Sequence, residues 1–127
     1  MAYDTDERND ADLSVEETAD LISSEKVDGT AVYNRQAERL GTIRNFMVGK
    51  RDGQVRYAVL RYGGLFGMDD RYYPLPWNVL TYDTEQDGYV VDLDKDVLEK
   101  GPSYEAGNEP TYNQDYDQRI TDYYLNY

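Results

Sequence analysis

Between positions 27 and 93, hydrophobic and polar residues alternate in short runs that are separated by turn residues. Runs of this kind are typical of short β-strands with one buried face. Asp52 and Gly53 stand between two such runs, at 40–50 and 54–62, and an Asp-Gly pair favours a type I′ hairpin turn. The pattern predicts a mainly β fold of several short strands, either a barrel or a sandwich, with these two runs as antiparallel neighbours.

Two departures from regular alternation predict local irregularities. Alternation breaks after Ile43, which indicates a β-bulge at Arg44 or Asn45. Farther along, Pro74 and Pro76 share one face of a strand-like run, and proline cannot donate a ladder hydrogen bond. We expect the run that contains these two prolines to extend to position 79. It must therefore be an edge strand or must leave the sheet.

The remaining local signals predict one more hairpin and short helices. Positions 80–83 and 88–93 form the arms of the hairpin, and 94–101 reads as a short helix that ends at a Gly-Pro pair. A capping-box arrangement at 14–17 predicts a helix or turn before the strands. That lead-in is either a lid over one end of a barrel or a docking segment.

The C-terminal segment contains aromatic residues at helical spacing. If the segment is helical, one face carries a stripe made of Tyr112, Tyr116, Ile120, Tyr123, Tyr124 and Tyr127. An exposed stripe of this size would be costly, so we expect it to bury its area. It packs either on its own barrel or on another chain.

The net charge of −13 is concentrated at the two ends of the chain. Residues 1–25 contain nine acids and one base, residues 26–100 twelve acids and eleven bases, and residues 101–127 five acids and one base. We therefore predict an acidic, largely disordered tail at 1–19, a near-neutral β domain at 20–104 and an acidic, Tyr-rich helical segment at 105–127. This field disfavours nonspecific binding to phosphates, so nucleic acid is an unlikely partner and a basic or polar protein fits better.

Composition excludes several classes of chemistry. The chain has no cysteine and no histidine, which removes disulfides, thiolate nucleophiles, imidazole bases and most zinc sites. We expect no enzyme activity, no catalytic residues and no cofactor. Nowhere do about 18 apolar residues run together, so we expect no membrane span and a cytoplasmic location.

The best metal candidate resembles a calcium-binding EF-hand loop. Asp83, Glu85, Asp87, Gly88 and Asp94 occupy positions 1, 3, 5, 6 and 12 of that pattern. Position 3 prefers Asp or Asn, position 12 needs a Glu, and no helical pattern flanks the loop. A polar hairpin turn explains the same residues, and we predict no metal site.

Short motifs in a fixed order resemble the PRC-barrel family, which is named for the cytoplasmic part of the photosynthetic reaction-centre H subunit. The most specific run extends from Tyr62 to Trp77, with paired glycines and a Pro-x-Pro-Trp exit. The other matching residues are Gly29-Thr30-Ala-Val-Tyr-Asn34, Leu40-Gly41, Gly53, Tyr57-Ala-Val-Leu60 and Pro102-Ser-Tyr104. The resemblance implies a small antiparallel β-barrel of about six strands with short terminal helices. The family usually has glycine where Ala37 stands, so we expect a slightly different turn there.

The resemblance implies a non-enzymatic module for protein–protein interaction or assembly, and we expect self-association with a dimer favoured. The family resemblance also allows two alternative functions. One is an RNA-processing or ribosome-associated factor, because a ribosome-maturation factor is related to the family, and the other is a photosynthetic or electron-transport protein, because of the reaction-centre H subunit. A loop with exposed Gly, Phe and Met suits an adaptable docking surface, although Leu65 and Phe66 could equally plug the barrel end. The candidate interaction residues are Leu65, Phe66, Met68, Tyr72, Tyr116, Ile120, Tyr123 and Tyr124.

Overall fold

The fold is a seven-stranded sheet with short helices, seen in a computed structural model that describes residues 21–62 and 71–125. Predictions for the lead-in at 14–17 and for Leu65, Phe66, Met68 and Tyr127 lie outside these residues. The strands are β1 (Ala31–Tyr33), β2 (Arg39–Val48), β3 (Val55–Tyr62), β4 (Arg71–Pro76), β5 (Leu80–Asp83), β6 (Gly88–Val91) and β7 (Tyr104–Glu105). The helices are α1 (Ser24–Val27), α2 (Lys95–Glu99) and α3 (Gln114–Leu125), with a 3₁₀ helix at Trp77–Val79.

The strand order across the sheet is β5-β6-β1-β2-β3-β4-β7. All neighbours are antiparallel except β1 and β6, which pair in parallel through Ala31 and Gly88, Val32 and Tyr89, and Tyr33 and Val90. The mainly β prediction is confirmed in its general form, while the expected antiparallel barrel of about six strands differs in detail: the sheet has seven strands and one parallel pair. Alternation shows which face of a strand is buried and does not show which strand lies beside it. Within the described residues β5 and β7 end the sheet and do not pair with each other.

Strand register separates an inner face from an outer face. On the inner face Ile43 pairs with Leu60, which pairs with Tyr73, and all three are buried in the main core. On the outer face the corresponding row passes from Arg61 to Tyr72. Because side chains alternate across a sheet, each strand contributes to both faces.

Both predicted irregularities are present. The pairing of β2 with β3 shifts register between Ile43 and Asn45, which confirms the bulge at Arg44. Along β4, the proline-containing part pairs with β3 alone, because β7 reaches only Arg71 and Tyr72. β4 is therefore the second strand from the end of the sheet, and among the described residues only its proline-containing part has the one-sided pairing expected of an edge strand. The strand ends at Pro76 and not at position 79.

The hairpin between β2 and β3 is confirmed, but its turn is not type I′. Gly53 has a positive φ of 70° while Asp52 does not, and type I′ needs positive φ at both central positions. The Gly49 N–H donates to the Gln54 carbonyl, and the Gly53 N–H donates to the Gly49 carbonyl. These bonds close a longer loop than the Asp-Gly pair predicted.

The turn after β1 is organised by one buried polar side chain. Asn34 is 2% exposed, and its Oδ1 accepts from the backbone N–H groups of Gln36 and Glu38. Its Nδ2 donates to Glu38 Oε1 at 2.7 Å. Ala37 has a φ of 64°, so it takes the left-handed conformation that glycine adopts with less strain.

The C-terminal aromatic stripe packs on the protein's own sheet. Three stripe residues on α3, Tyr116, Ile120 and Tyr124, are buried in the same core cluster as the strands. At the start of the helix, the Tyr116 N–H donates to Asn113 Oδ1. The predicted short helix before it is present as α2.

Candidate interaction surface

Four aromatic rings from four different elements form one cluster, which we call the aromatic quartet. They are Phe46, Trp77, Tyr82 and Tyr89. The ring centroid of Trp77 lies 5.1 Å from that of Phe46 and 5.7 Å from that of Tyr89, and Tyr82 lies 5.1 Å from Tyr89. All three pairs meet edge to face, an arrangement that aromatic rings favour.

The local structure of each element explains why the rings meet. Phe46 lies on the inner face of β2, and Tyr82 pairs with Tyr89 across β5 and β6. Pro76 ends β4, so Trp77 begins the 3₁₀ helix and turns away from the strand direction. The Tyr82 hydroxyl donates to Asp87 Oδ1 at 2.7 Å, which orients the Tyr82 ring.

Burial within the quartet is uneven. Tyr89 is 4% exposed, whereas Trp77 is 37% exposed. Trp77 is therefore a large, rigidly supported aromatic side chain that retains open surface. Tryptophan in such a position is common at the centres of protein interfaces, because it buries much area at little cost in side-chain entropy.

A second set of aromatic residues extends from Tyr72 on the outer face of β4 into the C-terminal segment. We call it the tyrosine cover. Its contacts run from Tyr72 to Tyr104 (5.6 Å), from the Tyr104 hydroxyl to the Tyr112 hydroxyl (3.3 Å), and from Tyr112 to Tyr57 (5.6 Å) and Tyr116 (5.2 Å). Of these residues, Tyr57, Tyr72, Tyr104 and Tyr116 are buried.

Arginine completes one edge of the tyrosine cover. The Arg44 guanidinium lies 4.5 Å from the centre of the Tyr72 ring and 3.8 Å from a Glu109 carboxylate oxygen. A cation over an aromatic face is attracted by the ring quadrupole. The outer surface of Tyr72 is thus occupied by the chain itself.

Burial raises the pKa of the Tyr62 and Tyr112 hydroxyls above its ordinary value. Burial raises the pKa of Tyr112, and the hydrogen bond with the Tyr104 hydroxyl adds to that effect. Burial likewise raises the pKa of Tyr62, whose hydroxyl donates to Glu99 Oε2 at 2.6 Å. These groups act as structural hydrogen-bond partners at neutral pH.

The residues of the EF-hand-like pattern form a hairpin turn. Asp83 Oδ2 accepts from Gln86 Nε2 at 3.0 Å, and Asp83 Oδ1 accepts from the Glu85 N–H at 2.9 Å. These two hydrogen bonds lower the pKa of Asp83, and the bond from Gln86 lowers it more. In residues 21–62 and 71–125, no three acidic side chains are grouped so that they could hold a metal ion.

The predicted interaction residues that lie within the described ranges are all at least partly buried. Tyr72, Tyr116, Ile120 and Tyr124 are buried within the chain. Tyr123 is partly buried and donates its hydroxyl to the Val97 carbonyl. Hydrophobic periodicity along the sequence does not group Trp77 with Phe46 and Tyr82. The signal for the group was the single tryptophan after a Pro-x-Pro strand exit.

Comparison with protein families decides the membership of the chain. The family model for the PRC-barrel domain matches residues 19–98, which is more than half of the sequence. The chain belongs to the PRC-barrel family. The matched PRC-barrel region contains β1 to β6 and the whole aromatic quartet, and it ends before β7 and α3. No functionally curated protein matches the chain.

The helices of the PRC-barrel protein are short and mostly polar. Among those in the described ranges, none combines the length and the apolar character needed to cross a bilayer.

Proposed function

We propose that this PRC-barrel protein is a non-enzymatic, cytoplasmic module for protein–protein interaction, and that it self-associates through the aromatic quartet. The observation that carries the proposal is the 37% exposure of Trp77 on a cluster that fixes its ring. Burying the open part of Trp77 against a second copy would gain hydrophobic free energy of roughly 25 cal/mol per Å². Because the ring is already held, little side-chain entropy is lost on binding.

The composition of the chain supports a binding role over a catalytic one. The sequence contains no histidine and no cysteine, which are the residues most often used as general base and thiol nucleophile. The turn carboxylate of Asp83 is engaged in hydrogen bonds to its own loop. The proposal therefore assigns no reaction to these side chains.

The net charge of −13, together with the ion pairing of five cations, makes an RNA-associated role the weaker candidate. Arg35, Arg44, Arg56, Arg71 and Lys95 each lie within 4 Å of a carboxylate oxygen. A protein that neutralises phosphates needs cations that are free to replace counterions. The photosynthetic or electron-transport alternative rests on family resemblance alone.

The test compares two exposed apolar residues by sedimentation velocity over a range of concentrations. Trp77→Ser should lower the fraction of dimer, while Val48→Ser, at a residue that is 51% exposed, should leave it unchanged. Thermal melting of both variants checks that they fold. A wild-type protein that is monomeric at every concentration, or a folded Trp77→Ser variant that dimerises like wild type, contradicts the proposal.

A further inference from the structure

Among the described residues, the aromatic contacts on the outer face of the sheet are confined to one part of it. The tyrosine cover lies over β3 and β4, where Tyr72 and Tyr104 meet. Beyond it, one row of outer-face positions continues through Arg61, Thr42 and Ala31, and a second row joins Arg39 to Tyr33. We call Tyr33, Arg39, Thr42 and Arg61 the arginine face.

The two arginines of this face differ from the other cations of the sheet. Within residues 21–62 and 71–125, neither Arg39 nor Arg61 has a carboxylate within ion-pair distance. Arg44, on the same strand as Arg39, is paired with Glu109 and lies over Tyr72. The arginine face therefore presents two uncompensated guanidinium groups beside an aromatic ring.

The chain itself supplies an anionic segment, which precedes the described residues. Residues 1–20 contain eight acids and one base. The described chain begins at Leu21, and Ile22 lines the same groove as Ala31 and Tyr33. Twenty residues can span up to about 66 Å, so length does not prevent the segment from reaching Arg39 and Arg61.

We propose that the acidic segment 1–20 docks on the arginine face of its own chain. Tethering holds the segment at an effective concentration in the millimolar range, so weak charge pairing is enough for docking in cis. A separate acidic protein would lack this advantage and would be repelled by the net charge of −13. The docked segment lies on the outer face, whereas the aromatic quartet that we propose for self-association lies on the inner face.

Paramagnetic relaxation tests the docking directly, because the chain has no cysteine and a single label is unambiguous. A nitroxide on Thr5→Cys in the full chain should broaden the amide signals of Thr42 and Ala31. The broadening should be lost in Arg39→Ser/Arg61→Ser. It should be retained in Lys50→Ser/Arg51→Ser, a matched pair that removes two exposed cations from the β2–β3 loop.

Salt and mixed samples show whether the broadening arises from charge pairing within one chain. Raising salt from about 0.01 M to about 1 M shortens the Debye length from about 30 Å to about 3 Å and should abolish the broadening. Mixing spin-labelled, isotopically normal protein with unlabelled ¹⁵N protein should give no broadening, because docking is within one chain. Absence of broadening at low salt, equal loss in both double variants, or broadening in the mixed sample overturns the proposal. None of these outcomes depends on the dimer, since Trp77→Ser can be introduced into every sample.

Discussion

The aromatic quartet and the tyrosine cover use the same kind of side chain to opposite effect. In the tyrosine cover, Tyr72 is 7% exposed because Tyr104, Tyr112 and Arg44 lie over it. In the quartet, Trp77 is held from below by Phe46 and Tyr89, and its outer surface is open. The difference shows that aromatic content alone does not mark an interface. What matters is whether the chain supplies its own cover.

The largest expected difference comes from truncating one ring in each region. Tyr72→Ala should lower the free energy of unfolding by about 3–5 kcal/mol, since it leaves a cavity beneath Tyr104. Trp77→Ala should cost less than about 2 kcal/mol, because part of its surface is already in water. Urea unfolding of the two variants measures both values. Equal costs would break the distinction between the two regions.

A smaller but related effect is expected from the helix that lies outside the family match. Ile120→Ala on α3 should destabilise the protein by about 2–5 kcal/mol, because Ile120 is fully buried in the main core. Leu125→Ala on the same helix should change stability by less than about 0.5 kcal/mol, because Leu125 is 70% exposed. Denaturant midpoints provide the measurement. If Ile120→Ala left the free energy of unfolding unchanged, α3 would not cover the core.

The smallest effect concerns alkaline pH. Because burial raises the pKa of Tyr112 above its unfolded value near 10, the folded state resists ionisation of this hydroxyl. The stability that the neutral Tyr112 hydroxyl contributes to the folded state is complete below about pH 10 and is lost as pH rises toward the folded pKa. Melting temperature should therefore fall between about pH 9 and about pH 11, and Tyr112→Phe should reduce that fall. An identical fall in the variant would remove Tyr112 as a cause.

Much of the fold could be predicted from the sequence because its signals were local. The bulge at Arg44 followed from broken alternation, and the one-sided pairing of the proline-containing part of β4 followed from two prolines without N–H donors. The parallel pairing of β1 with β6 could not be predicted, since it joins strands separated by most of the domain. The conformation of the turn before Gln54 was also predicted wrongly, because Asp52 keeps a negative φ while its side chain accepts from the Gln54 N–H.

The candidate site was harder to predict than the fold. Helical spacing correctly grouped Tyr116, Ile120 and Tyr124, but spacing does not reveal what covers a stripe, and here it is the protein's own sheet. The quartet draws its rings from β2, β5, β6 and the 3₁₀ helix, so no single periodic run contains it. Its geometry depends on tertiary packing around Trp77.

Trp77 is the only tryptophan in the chain, and its fluorescence tests the central claim most directly. The measurement is the emission wavelength and iodide quenching of the full-length protein during serial dilution, in parallel with its mass in solution. If the quartet is the self-association surface, the dimer should show blue-shifted, weakly quenched emission, and dilution to the monomer should shift the emission to longer wavelength and increase quenching. A change of mass with constant emission and constant quenching would show that the chains associate through a different surface.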